Sequence, residues 1–161
     1  MRRKEKYLMQ WFTDLFQNPF LIVGLSSWFI AQVIKTILFA VINKKLDWER
    51  LFGDGGMPSG HSATVSSLAM MSALTFGTAS FEFAVTSILA VIVCHDAMGV
   101  RRETGKQAVL LNEMLKSIDI WKKKELAEVR LKEFVGHTPS QVTAGILIGV
   151  TNALVMYNVL F

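Results

Sequence analysis

The sequence predicts an all-α fold: a polytopic membrane helix bundle of about four transmembrane helices, an amino-terminal interfacial helix and a charged helical loop. Of the 161 residues 52% are hydrophobic and the mean hydropathy is +0.38, whereas soluble domains are roughly 45–50% apolar. The charged residues fall in the first six positions, around residues 44–50, and densely between residues 101 and 133. Such zoning is typical of loops between buried spans.

Four apolar stretches approach the length of about 20 residues that a transmembrane helix needs. They are residues 19–42, 62–79, 81–100 and 140–161. A chain of this length normally forms one domain. We therefore expect a single membrane-embedded domain over residues 1–161.

Two further segments lie outside these spans. Residues 1–18 start with basic residues and then carry apolar side chains at helical spacing, at Tyr7, Leu8, Trp11, Phe12, Leu15 and Phe16. This pattern predicts a helix lying in the membrane interface. Residues 103–136 are charged and rich in good helix formers, which predicts one or two helices outside the bilayer.

Alternating spans bring four distant parts of the chain to one face of the membrane, here called the motif face. Residues 54–61, 101–102 and 137 all emerge there. Lys35 lies within two turns of that face, because residues 35–42 span only about 12 Å at 1.5 Å per residue. The topology therefore gathers polar residues at one place.

The segment Met57-Pro58-Ser59-Gly60-His61-Ser62-Ala63 has the composition of a helix start. Proline suits a first turn, serine caps, and glycine lets a ligand approach the backbone. The free N–H groups of such a turn bind anions, and a histidine there exchanges a proton near neutral pH. The alternative is a plain helix start whose histidine sits at the lipid–water boundary.

His137 precedes a second helix start. Thr138-Pro139-Ser140-Gln141 has proline at the first helical position and glutamine three residues after threonine, which is the pattern of a capping box. His137 is therefore expected at the mouth of a helix. Two interpretations stay open: His137 takes part in chemistry, or it is only the loop residue before a capped helix.

Cations and one carboxylate accompany the histidines. Arg101 and Arg102 end the third span, Asp96 lies a turn or more inside it, and Lys35 shares a helix face with Gln32. A carboxylate within a span requires a cationic or histidine partner, and the arginines are the nearest candidates in sequence. Alternatively, the arginines only reach towards lipid headgroups.

Together these residues are of the types that phosphoryl transfer uses. Cations and helix N–H groups neutralise the phosphoryl oxygens, one histidine attacks phosphorus and the other protonates the leaving oxygen. Such chemistry needs no metal, and a compact zinc-ligand spacing is lacking among His61, His95, His137 and Cys94. We therefore expect no metal and no other cofactor.

These motifs resemble the type-2 phosphatidic acid phosphatase superfamily, which includes vanadium-dependent haloperoxidases and membrane lipid phosphatases. Its central motif is Pro-Ser-Gly-His, present here at residues 58–61, and its last motif commonly reads like His-x-Pro-Ser-Asp-Val-x-x-Gly, which resembles residues 137–145. The chain is still more similar to the small divergent branch of that superfamily, over nearly all of residues 19–161. That closer likeness rests on residues 55–63, 96–102 and 136–139.

The resemblance implies a helical membrane protein that hydrolyses phosphate monoesters or diphosphates through a phosphohistidine. Carried over residue by residue, it makes His137 the nucleophile and His61 the general acid or base. It assigns the phosphate to Ser59, Gly60 and Lys35.

The chain departs from the superfamily pattern at its phosphate anchors. Leu131 stands where the last motif has an arginine, with Arg130 one place off, and we expect Arg101 or Arg102 to replace that anchor. The arginine-proline pair that follows the lysine of the first motif is Ile42-Asn43 here, so only the lysine is carried over.

A third departure concerns the orientation of the nucleophile. Gln141 stands where the superfamily has an aspartate beside the nucleophilic histidine. An amide is uncharged and stabilises an imidazolium less than a carboxylate does. Asp96 is the candidate for the missing charge.

The expected partners are the lipid bilayer and a phosphorylated lipid, such as phosphatidic acid, phosphatidylglycerophosphate or a polyprenyl diphosphate; no nucleic acid is expected. Four spans are few for the superfamily, so a homodimer would complete the bundle. The alternatives are a catalytically inactive protein that binds or transports phosphate or a lipid headgroup, and a structural membrane subunit.

We expect a multi-pass integral protein of a bacterial cell membrane. The basic residues Lys44, Lys45, Arg50 and most of those between residues 101 and 132 favour a cytoplasmic motif face. Four alternating spans would then leave the basic amino terminus outside. The charge rule and the span count therefore disagree.

Overall fold

A computed structural model describes residues 2–45, 55–117 and 136–160. These ranges contain helices and no strand, so the predicted all-α class is confirmed. The helices are α1 (Arg2–Phe16), α2 (Pro19–Asn43), α3 (Gly60–Phe76), α4 (Phe81–Met98), α5 (Val100–Ser117) and α6 (Pro139–Leu160).

Two predicted segments flank the bundle. α1 forms over most of residues 1–18 and exposes the rings of Tyr7, Trp11 and Phe16; its place in the membrane interface stays a prediction. α5 covers the first part of the charged loop predicted over residues 103–136. The rest of that loop, with Arg130 and Leu131, lies outside the described residues, as does Asp54.

Three stretches are long and apolar enough to cross a membrane by length and composition: Pro19–Asn43, Phe81–Met114 and Pro139–Leu160. They coincide with the first, third and fourth predicted spans, the third being extended into α5. Many of their large apolar side chains point outward, including Leu25, Phe29, Ile88, Val91, Leu147 and Val155. Outward apolar side chains suit helices that are surrounded by lipid.

α3 corresponds to the second predicted span, 62–79, but it differs from the other three. It has 17 residues, about 25 Å at 1.5 Å per residue, and it packs against α2, α4 and α6. Many of its buried residues are serines, namely Ser62, Ser66, Ser67 and Ser72. The bundle is therefore three long apolar helices around a shorter, polar central one.

Several buried serines of α3 are hydrogen-bonded to the helix backbone, whereas the buried Thr75 hydroxyl has no partner among the described residues. The Ser66 hydroxyl donates to the Ser62 carbonyl at 2.6 Å, and the Ser67 hydroxyl donates to the Thr64 carbonyl at 2.7 Å. Such bonds to the preceding turn let serine lie inside an apolar environment at little cost. Small side chains also allow neighbouring helices to come close.

The closest approach is between α3 and α6. A Cβ added at Gly145 would collide with the Ser59 carbonyl oxygen, and one at Gly149 would collide with the Ala63 carbonyl oxygen. The Ser59 N–H also donates to the Gln141 carbonyl at 3.0 Å. The start of α3 is therefore held directly on the first turns of α6.

We predict that Gly149→Leu destabilises the bundle, because the new side chain has no space between the two backbones. The free energy of unfolding should fall by about 1–3 kcal/mol or more. The measurement is thermal unfolding of the purified protein in detergent micelles. Thr151→Leu, at an exposed position of the same helix, is the matched control, and equal unfolding temperatures for the two variants would contradict the packing described here.

Candidate active site

A cavity of about 240 Å³ lies where the end of α4 meets the start of α3 and the segment before α6. Its walls include His61, His137, Asp96 and Arg101. Its other lining residues are Gly55, Ile92, Val93, Ala97 and Gly136. The structure thus gathers four predicted site residues from three separate parts of the chain.

His137 is placed by the segment that precedes α6. Its backbone N–H donates to the Ala97 carbonyl at 2.9 Å, at the end of α4. Gly136 has a φ of +87°, which glycine adopts readily, and a Cβ there would collide with the backbone of Arg101 and Arg102. These two backbone contacts fix the position of His137 relative to Arg101 and Arg102.

Gln141 both caps α6 and contacts His137. The Thr138 N–H donates to Gln141 Oε1 at 3.0 Å, and the Gln141 N–H lies 3.4 Å from Thr138 Oγ1, so the predicted capping box forms. The same Oε1 lies 3.3 Å from His137 Nδ1. Because that oxygen is an acceptor, a neutral imidazole donates its Nδ1–H to it and keeps the lone pair on Nε2.

The environment of His137 favours the neutral imidazole. The side chain is only 5% exposed, and burial lowers its pKa from the ordinary value of 6.5. Hydrogen bonds with Gln141 and with the Gly56 backbone raise the pKa, while the positive charges of Lys35 and His61 lower it. The net effect is a lowered pKa, so the ring is mostly neutral at pH 7 and one of its two nitrogens is unprotonated.

The polar face of α2 lies beneath the site. Lys35 is buried, and its aliphatic chain lies 3.6 Å from where a Cβ of Gly56 would stand. A Cβ at Gly60 would meet Trp28 at 3.2 Å and Gln32 at 3.9 Å. Gln32 and Lys35 therefore both face into the bundle, as the sequence predicted. The positive charge of Lys35 lies near His137.

The start of α3 supplies backbone donors. The Ser59 hydroxyl is fully buried and accepts the Ser62 N–H at 3.3 Å, so it caps the helix and does not line the cavity; Pro58 precedes this cap. Within the described ranges, the N–H groups of Gly60 and His61 have no partner. Free first-turn N–H groups are the donors with which a helix start binds an anion. Gly60, however, is buried and does not line the cavity, whereas His61 does.

The two arginines take different positions. Arg101 Nε lies 2.8 Å from Asp96 Oδ2, which is the ion pair that the sequence suggested. The bond uses one of the five N–H donors of the guanidinium. Asp96 thus orients Arg101, while in the described part of the chain the ring of His137 is oriented by Gln141. Arg102 lines a separate cavity with Lys106.

Sequence reasoning gave no role to Gly55, Gly56 or Gly136, although all three border the site. The available signal was the placement of glycine directly before each histidine-bearing helix start. In the part of the chain that the structure covers, no three His, Cys, Asp or Glu side chains converge as metal ligands would.

Comparisons with known proteins agree with these features. The family model described as the divergent PAP2 family matches residues 16–152. The uncharacterized membrane protein YuiD of Bacillus subtilis (strain 168) is 39% identical over 152 residues, which are 89% of this chain and 96% of that protein. No solved structure matches. The chain, a membrane helix bundle with this pair of histidine-bearing motifs, belongs to the divergent PAP2 family.

Proposed function

We propose that the protein is a membrane phosphatase that hydrolyses a phosphate monoester or diphosphate on a lipid. The observation that carries this proposal is a single cavity that holds both His61 and His137 beside the Arg101 guanidinium. A relation to phosphatases through the divergent PAP2 family supports it. Under this proposal the reaction passes through a phosphohistidine and uses the residues of the chain alone.

The proposed reaction begins with a phosphate in the cavity. The guanidinium of Arg101, the charge of Lys35 and the first N–H groups of α3 neutralise its oxygens. His137 Nε2 then attacks phosphorus, and the P–O bond to the lipid breaks as His61, in its protonated form, gives a proton to the leaving oxygen. His61 next removes a proton from water, which attacks the phosphohistidine and releases phosphate and His137.

The contact between Gln141 and His137 affects two steps of the proposed reaction in opposite directions. Phosphorylation at Nε2 leaves a positive imidazole ring, and an amide oxygen stabilises that ring less than a carboxylate does. In the ground state, however, the hydrogen bond with the amide raises the pKa of His137 less than a carboxylate would. We therefore expect a nucleophile that is ready at neutral pH and a slow phosphorylation step.

The position of the cavity favours a lipid substrate. It lies at the ends of α4 and α6, whose outer surfaces are apolar, so a hydrocarbon tail can stay in the bilayer while the phosphate enters the site.

We propose that the protein lies in the cell membrane with the motif face towards the cytoplasm, because Lys44, Lys45 and the basic residues of α5 lie on that face.

The histidine pair supplies the first test. We predict that purified protein releases phosphate from lipid phosphates in detergent micelles, and that the double variant His61→Gln, His137→Gln loses about 10³-fold or more of this activity. Any radiolabelled phosphohistidine that is trapped during turnover should be absent from His137→Gln.

His95→Gln is the matched control, because His95 is exposed on α4 and does not line the cavity; its activity should stay near that of the wild type. The enzymatic proposal is wrong if the wild-type protein releases no more phosphate than the double variant. Phosphate or vanadate binding that persists without turnover would then indicate a binding protein, which the glutamine at position 141 would explain.

The lowered pKa of His137 predicts the pH dependence of the reaction. Attack requires the neutral His137 ring, so the acid limb of kcat/KM should lie below pH 6.5, the ordinary value for histidine. Gln141→Glu keeps an acceptor for the capping box and adds a negative charge beside Nδ1, which raises the pKa of His137. The acid limb of the pH profile should then move to higher pH.

The control for this experiment is Thr143→Glu, which adds the same charge at an exposed position of α6. Titration of the histidine rings by NMR reports the same shift without turnover. An acid limb that stays in place in Gln141→Glu would show that this pair does not set the ionisation of the nucleophile.

The proposed orientation predicts a labelling pattern. With Cys94 replaced by alanine, Gln107→Cys adds a thiol at an exposed position of α5. A reagent that cannot cross membranes should label this thiol only in permeabilised cells. Labelling of intact cells at the same rate would place the motif face outside.

A further inference from the structure

We propose that the substrate headgroup carries two phosphate groups, and that the second one binds in the cavity lined by Arg102 and Lys106. This inference rests on the proposed function, because it names the class of substrate for the same site. The ligand chemistry is a second phosphate within reach of the one that reacts, either joined to it directly as a diphosphate or separated by a short linker.

The first support is the arrangement of two cavities around His137. The second cavity has a volume of about 260 Å³. Gly55, Gly136 and His137 border both cavities, so this short wall separates them. A headgroup with one phosphate beside the nucleophile would therefore reach the second cavity by passing two glycines, which have no side chains to obstruct it.

The second support is the divergence of Arg101 and Arg102. Consecutive residues of a helix point about 100° apart, and both arginines lie in the first turn of α5. Arg101 faces the first cavity, where Asp96 holds it, while Arg102 lines only the second. One phosphate beside His137 therefore uses Arg101 and leaves Arg102 to a different anionic group.

The third support is the chemistry of the second cavity. Lys106 follows Arg102 by four residues, so both side chains project from one face of α5. Gly105 and Gly56 also line this cavity and have no side chains to fill it. Among the described residues, none of those that line this cavity is acidic, whereas the first cavity contains Asp96. Lys106 contacts Glu103 at 2.6 Å, which occupies one of its three N–H donors.

Hydrolysis of paired substrates tests this inference. One pair is a prenyl monophosphate and the diphosphate of the same chain; the other is phosphatidic acid and phosphatidylglycerophosphate with the same acyl chains. The wild type should show a kcat/KM about 10-fold or more higher for the two-phosphate member of at least one pair, as one charged hydrogen-bonded contact provides. The favoured pair tells whether the two phosphates adjoin or are separated.

The variants locate the preference. Arg102→Gln should bring the ratio between the two members close to one, while Arg101→Gln should lower kcat/KM for both members and keep the ratio. Gln107→Ala, at an exposed position of α5 outside both cavities, should change neither value. Equal kcat/KM for both members in the wild type would overturn the inference, and so would a kcat/KM ratio that is unchanged in Arg102→Gln. Either result would indicate that Arg102 contacts the headgroups of bilayer lipids instead.

A binding measurement separates this inference from the proposed function. Methylenediphosphonate and methylphosphonate cannot be hydrolysed at their P–C bonds, and their affinities for the purified protein are measured by thermal stabilisation. We expect about 10-fold tighter binding of the diphosphonate, lost in Arg102→Gln. If no lipid is hydrolysed but this preference is found, the phosphatase proposal fails and the second phosphate site stands. Equal affinities in the wild type would reject the site.

Discussion

The backbones of α3 and α6 touch at Gly145 and Gly149, and the site depends on that contact. Because α6 carries the histidine at its mouth and α3 carries the other histidine in its first turn, the distance between the helix axes sets the distance between the two imidazoles. The hydrogen bond from the Ser59 N–H to the Gln141 carbonyl fixes the same two turns along the axis. The two histidines that we propose to act on one phosphorus are thus positioned by the helix pair with the closest backbone contacts.

A second constraint is that few hydrogen-bond partners are present for the polar groups inside an apolar bundle. Each buried polar atom needs a partner when water is absent, and single residues here serve more than one neighbour. Gln141 satisfies the first turn of α6 and the ring of His137 with one oxygen. Such sharing couples the start of α6 to the orientation of His137, since loss of the glutamine would remove the helix cap and the hydrogen-bond partner of the ring together.

The cations of the site are arranged by the junction of α4 and α5. Gly99 ends α4 and α5 begins at the next residue, so the arginine pair projects from a helix start. Asp96 holds Arg101 at the first cavity, and the helix geometry turns Arg102 towards the second cavity, which His137 also lines. Gly136 packs on the backbone between the two arginines. His137 therefore lies between the cavity that Arg101 lines and the cavity that Arg102 and Lys106 line. The proposed preference for a headgroup with two phosphates depends on this arrangement.

The sequence by itself determined the helical class, three long apolar spans and the caps at Ser59 and Thr138, because hydropathy and capping are properties of neighbouring residues. The pairing of Asp96 with an arginine also followed from their nearness in sequence. Only the tertiary structure decided which arginine faces the histidines, that Gln141 contacts His137, and that α3 is a short central helix. These depend on helix rotation and on glycine contacts between distant residues, for which a single sequence carries no local signal.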